Sequence, residues 1–157
     1  YLPVLDPQEH AIGQVKLTVR DPSTPQTSQL MIQPSVYFAT EPIWTSKNNV
    51  HNPMLDEKGR VWITSAVRPF DNPAFCKAGS EHPSAKLTPL DRAGRHLAMY
   101  DPKNGKLTHI STCFGTHHLM FAEDANNALW FNDLGMGHSI FGWLNTKMWD
   151  QTQDAQK

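Results

Sequence analysis

An all-β chain of repeated antiparallel hairpins is predicted by three features of this sequence. Two stretches read as the same unit written twice: His51-Asn52-Pro53-Met54-Leu55-Asp56-Glu57-Lys58-Gly59-Arg60-Val61-Trp62-Ile63-Thr64 and His118-Leu119-Met120-Phe121-Ala122-Glu123-Asp124-Ala125-Asn126-Asn127-Ala128-Leu129-Trp130-Phe131-Asn132. Each runs histidine, short apolar strand, acidic turn, then a strand centred on tryptophan, with one extra residue in the second turn. The composition is that of a loop-rich β protein: 39% apolar, 18% charged, 12 prolines and 9 glycines in 157 residues. Turn chemistry also recurs between the apolar segments, as at Asp101-Pro102-Lys103-Asn104-Gly105. Repeated hairpins of this kind mark a β-propeller or a related array.

Taken in order, residues 1–14 read as irregular, and Val15 to Arg20 alternates apolar and polar residues as a strand does. Asp21 to Ser28 is a Pro/Ser/Thr-rich loop, and Leu30 to Thr40 is a second strand candidate that Pro34 confines to an edge. Ile43-Trp44-Thr45-Ser46 resembles Val61-Trp62-Ile63-Thr64-Ser65 and suggests an earlier copy of the unit. Met54 to Asp56 and Arg60 to Thr64 form a hairpin. After it comes a Pro- and Gly-rich connection without evident structure, and connections that long are often functional. A second hairpin pairs His96 to Tyr100 with Lys106 to Cys113.

Residues 1–50 are thus expected to be a partial or irregular blade region. Residues 51–115 form one complete four-stranded blade with a long insertion at 68–95, and residues 116–157 start the next, including a strand at Phe141 to Asn145. Propellers typically close with 4–8 blades, so the chain is expected to be a fragment of a longer propeller, completed by further blades or by other chains.

The formal charge of −1 gives no broad attraction to nucleic acid or anionic membrane. No apolar run reaches the roughly 18 residues of a membrane-spanning helix. The two cysteines, Cys76 and Cys113, fit neither a zinc knuckle nor a CxxC redox pair. They are two buried thiols, one disulfide tying the insertion to the strand at Cys113, or a catalytic cysteine, and a disulfide would place the protein in the periplasm or outside the cell.

In a propeller the innermost strands surround an axis, so equivalent residues preceding them converge at one mouth of the channel. His51 and His118 are read as such equivalents, with His117 beside them. Converging imidazoles can bind a divalent metal or act as acid and base near neutral pH. They can equally hold a neighbouring blade's backbone in register. Asp56 and Glu123 are read as equivalent turn carboxylates. Glu123 is the candidate carboxylate partner of the two histidines, and local amide capping is the plainer role for both acids. Trp62 and Trp130 are expected in the core. The insertion, with Glu81, His82, Lys86 and several arginines, would form a surface loop or a ligand wall. Gly135-Met136-Gly137-His138 follows a Trp strand but is no dinucleotide fingerprint. Neither a P-loop nor a G-x-S-x-G elbow nor H-E-x-x-H occurs.

The paired repeats, His-x-apolar followed by Asp/Gly and then Leu/Val-Trp-Phe/Ile-Thr/Asn, resemble those of the streptogramin lyase-like (virginiamycin B lyase-like) β-propellers over about residues 51–145. The resemblance implies a propeller and, for the family's lyase, Mg²⁺-assisted elimination at an ester linkage of a cyclic depsipeptide by closely spaced Glu and His. The two Glu-His pairs here, Glu9-His10 and Glu81-His82, are adjacent rather than spaced, and neither lies in a repeat. The expectation is an exported propeller that binds a small molecule or metal at the channel mouth. The alternatives are a metal-dependent lyase or hydrolase using His51, His118 and Glu123, and an interaction subunit of a larger assembly.

Overall fold

A computed structural model describes residues 1–26, 46–133 and 139–156. The expected strand at Leu30 to Thr40, the short Trp44 repeat except Ser46, and Gly135 to His138 lie outside the described residues.

The described chain is predominantly β. Strands β1 (Leu2–Asp6) and β2 (Ala11–Val15) form a hairpin. Four strands, β3 (His51–Leu55), β4 (Val61–Ser65), β5 (His96–Asp101) and β6 (Lys106–Ile110), form an antiparallel sheet in chain order. A second antiparallel sheet orders β7 (Leu119–Phe121), β8 (Ala128–Asn132) and β9 (Phe141–Asn145). The described residues also form two short α-helices, α1 (Pro83–Leu87) and α2 (Thr146–Thr152), and a 3-10 turn at Ala74–Cys76. The amino terminus departs from expectation. The hairpin occupies residues read as irregular, and the alternating segment from Val15 contributes only its first residue to a strand. Leu17 is instead fully buried against Ile63, Val67 and Ala98, and burial of one side chain, not strand pairing, explains its apolar character.

The period-2 alternation of β4 and β5 sends residues to two different cores. Trp62 lies opposite Met99, and Thr64 opposite Leu97. On that face Trp62, Leu97, Met99 and Ile110 meet Leu119, Leu129 and Phe131 of the second sheet, together with Phe114 and Trp149. On the other face Ile63 and Ala98, opposite one another, pack on Leu17 and Val67. Gly142 lets Phe114 stack on Phe131, with ring centroids 5.5 Å apart, because a Cβ at that glycine would come within 2.5 Å of the Phe114 ring.

The two hairpin turns are built alike. Asp56 Oδ1 accepts from the amides of Lys58 and Arg60, both at 2.9 Å, and Gly59 takes φ +77°. Asp124 Oδ1 accepts from the amides of Asn126 and Ala128 at 3.1 and 2.9 Å, and Asn127 takes φ +47° where Gly59 stood. The turn equivalent of Asp56 is therefore Asp124, not Glu123. Met54 faces Trp62 and Met120 faces Trp130, so the second unit carries two extra residues, Ala122 and Glu123, between strand and turn. Glu123 sits there in the left-handed region at φ +53°.

The insertion between β4 and β5 is ordered. A Cys76–Cys113 disulfide crosses it, with Cα atoms 5.0 Å apart. The buried Asn72 side-chain amide donates to the carbonyls of Leu90 and Cys113. Buried Arg68 donates to the Asn72 side-chain oxygen and to the carbonyls of Pro69, Asp71 and Thr112. Capture of backbone carbonyls by buried side chains thus holds the insertion's short helical turns in place. His82 caps α1 by accepting from the Ser84 amide, and Glu81 pairs with Lys86, which gives both residues local structural roles.

His96 is fully buried, and burial, followed by the charges of Arg68 and Arg20, drives its pKa down to about 3. An unfolded histidine titrates near 6.5. As pH falls through that value the unfolded chain takes up a proton that the folded chain refuses, so stability should decline from about pH 6.5 toward 3. Urea unfolding midpoints between pH 7 and 4.5 check this. The fall should be shallower in His96→Gln, and an equal slope in both proteins would refute the assignment.

Candidate metal and ligand site

Three histidines converge where the first strands of the two sheets come together. His51 opens β3 opposite Thr64. His117 precedes β7 and donates its amide to the Asn132 carbonyl at 2.9 Å. The His51 and His117 rings stack, with centroids 4.4 Å apart and planes 3° from parallel. His118 stacks on His117 at 4.2 Å and lies 5.5 Å from His51. One ligand atom from each of the three lies within 4.8 Å of the other two.

The local cause of this convergence is a set of buried hydrogen bonds. The hydroxyl of Thr64, fully buried, lies 2.8 Å from the His51 carbonyl and 2.9 Å from the His117 carbonyl. Asn52, in the left-handed region at φ +47°, reaches across to accept from the Leu119 amide at 2.8 Å. Asn132 accepts from the His118 amide with its side chain, also at 2.8 Å. The register of β3 shifts between His51 and Met54, and such an irregularity re-aims side chains.

Register corrects one expectation. His51 stands three residues before Met54, and His117 three before Met120, while Thr64 and Asn132 stand two beyond their tryptophans. The equivalent of His51 is therefore His117, and His118 is the extra imidazole. The signal was present in the sequence as a shared His-x-x-Met, masked by the more obvious His-Leu-Met. Glu123 does not join the histidines. It lies in the β7–β8 turn, at the far end of the hairpin from His117. Four to five strand residues of about 3.3 Å each separate the two ends.

Arg95, the last residue of the insertion, was not singled out by spacing. Its carbonyl accepts from the Thr116 amide at 3.1 Å, which ties it to the His117-His118 segment. Burial lowers the Arg95 pKa below its ordinary value. Burial first, then the charges of Arg95, His117 and His118, lowers the pKa of His51. Burial, His118 and then Arg95 do the same to His117. Both shifts favour the neutral imidazole, the form that ligates metals. His51 Nε2 is buried without a hydrogen-bond partner among the described residues, which leaves it a lone pair or a proton to offer a ligand.

Imidazole nitrogens suit zinc, copper or nickel. Tetrahedral zinc with Zn–N bonds of about 2.0–2.1 Å places ligand atoms about 3.4 Å apart. Coordination therefore requires the stacked rings to rotate and present their edges. Three protein ligands around such an ion leave a fourth position for a ligand or water. No family model, curated protein or solved structure matches the chain.

Proposed function

We propose that this chain is part of an exported β-propeller whose channel mouth, at His51, His117 and His118, binds a divalent transition metal and a small molecule on its open position. The observation that carries the reading is the trio of imidazoles from two successive repeats, with the buried, unpartnered His51 Nε2 among them. The sheet relationships support a propeller. Met54, Trp62 and Met99 share a face of the first sheet, against which the second sheet packs. The corresponding face of the second sheet carries Met120, Trp130 and Trp143, joined by Phe141. There Met120, Trp143 and Phe141 are 67%, 64% and 65% exposed. That face suits a further blade, whether from the same polypeptide or from another chain. The Cys76–Cys113 disulfide supports an oxidising compartment, the periplasm or the exterior. No helix of the described residues is long and apolar enough to cross a membrane.

A lyase or hydrolase resembling the streptogramin lyases is the second reading. Exposed His118 would serve it as acid or base on a metal-held substrate. The displacement of Glu123 to the opposite end of the hairpin favours binding over this chemistry.

Cobalt or zinc titration tests the metal. His51→Ala and His117→Ala should each weaken binding by at least about 100-fold, beyond the 10–100-fold cost of losing an outer-shell partner. Cobalt also reports its nitrogen ligands through visible absorption. Equal affinity in the wild type and both variants would refute the site.

A further inference from the structure

We infer that the histidine mouth accepts an oxyanion, a carboxylate or phosphoryl group, and that Arg95 is the residue that binds it. This rests in part on the metal reading above, because a metal held by the imidazoles would contact the same anion.

The inference starts from a charge imbalance. Arg95 is half-buried, its charge acts on His51 and His117, and its Nε is buried without a hydrogen-bond partner among the described residues. Among the described residues no carboxylate forms an ion pair with it. The other arginine brought close to carboxylates, Arg60, has two of them, Asp56 and Asp150. Buried Arg68 shares the unpartnered Nε but satisfies its terminal nitrogens with the Asn72 side chain and backbone carbonyls. Arg95 instead shares its surroundings with basic groups, His51 and His117, whose pKa values its charge lowers. A buried N–H on a charged group is costly to leave unmade.

A bare divalent cation is disfavoured beside a guanidinium by direct repulsion. An oxyanion removes the conflict. One oxygen accepts from Arg95, for which the guanidinium fork is geometrically suited, and another faces the imidazoles or the metal they hold. The placement is stiff, since the Arg95 carbonyl is bonded to Thr116, whose own buried hydroxyl donates to the His96 carbonyl at 2.7 Å. The long insertion thereby has a role as ligand wall: its final residue supplies the anion's partner.

The test titrates both metal-free and zinc-loaded protein with inorganic phosphate and, separately, with malonate, by calorimetry and by the imidazole proton signals. At least one of the two anions should bind saturably and shift the His51 and His117 signals. Arg95→Gln should weaken that binding by about tenfold or more, the worth of a charge-assisted hydrogen bond, while zinc affinity without added anion is kept or increased. If Arg95→Gln does not fold, Arg95→Lys, which keeps the charge and loses the fork, should bind the anion several-fold more weakly than the wild type. Preference for malonate assigns a carboxylate ligand, and preference for phosphate a phosphoryl one. Anion affinity unchanged in Arg95→Gln, or no binding of either anion by the wild type, overturns the inference. Failure of zinc to bind while the Arg95-dependent anion binding persists sinks the metal reading and leaves this one standing.

Discussion

Asp56→Ala should destabilise the fold by about 3–5 kcal/mol, the range for breaking a buried ion pair from one side. The Asp56 side chain is fully buried. Its Oδ2 accepts from Trp62 Nε1 at 2.8 Å and Arg60 Nε at 2.6 Å, while Oδ1 caps two turn amides. Alanine leaves all four donors short of a partner at the edge of the main core. Arg60 would keep only Asp150, which it bonds at 2.5 and 3.2 Å, and through which it anchors α2. Asp124→Ala is the internal control. That residue is exposed and caps only turn amides, so its loss should cost about 1 kcal/mol. Urea unfolding of the two variants checks the contrast, and similar losses would mean that the Trp62 and Arg60 bonds contribute little. Asp56 also sets a pH dependence. Burial alone would raise its pKa, but hydrogen bonds from Trp62 and Arg60 and the Arg60 charge outweigh it and hold the carboxyl below its ordinary value. The stability from this residue is then fully present above the unfolded pKa of about 3.9 and is lost as pH falls through the lower folded value.

Replacing both Cys76 and Cys113 by serine should cost about 4 kcal/mol. The cross-link closes a loop of sequence separation 37, and loop-closure entropy for that length in the unfolded chain has this size. Both cysteines are buried, so the substituted hydroxyls add to the loss. Measuring unfolding of the oxidised wild type, the reduced wild type and the double variant separates the cross-link from the burial of the new polar groups. A reduced wild type as stable as the oxidised one would remove the disulfide from the list of stabilising elements. Since Asn72 binds the Cys113 carbonyl and Arg95 ends the same insertion, loosening of the cross-link should also disturb the histidine mouth.

The two Trp hairpins, β5 with β6, and β9 were legible in the sequence because each rests on local chemistry. Apolar alternation selects the strand face, and Asp, Gly and Asn at fixed offsets close the turns through bonds spanning a few residues. Cys76 and Cys113 were legible as a candidate pair and no further, since spacing does not bring two Cα atoms to 5.0 Å. The amino-terminal hairpin was missed. The exposed β1–β2 pair has weak alternation, whereas Leu17 carried a strong apolar signal for a reason unrelated to pairing.

The site divides in the same way. Its histidines could be picked out as a group from repetition, but the choice of His117 over His118 as the equivalent of His51 depends on the β3 register shift and the Thr64 hydroxyl between two carbonyls. Glu123 looked like a partner because the repeats match it to Asp56, but it lies in the turn at the far end of the hairpin from the histidines, where Asp124 takes the place of Asp56. Arg95 gave no signal at all: its backbone is brought to the His117-His118 segment because the insertion folds around Arg68, Asn72 and the disulfide and ends there. The sequence by itself determined the hairpins, the turns and the residue types available. Only tertiary structure decided which side chains meet, because contacts between segments 40 to 70 residues apart follow from how two sheet faces pack, a property of the whole core that no local pattern encodes.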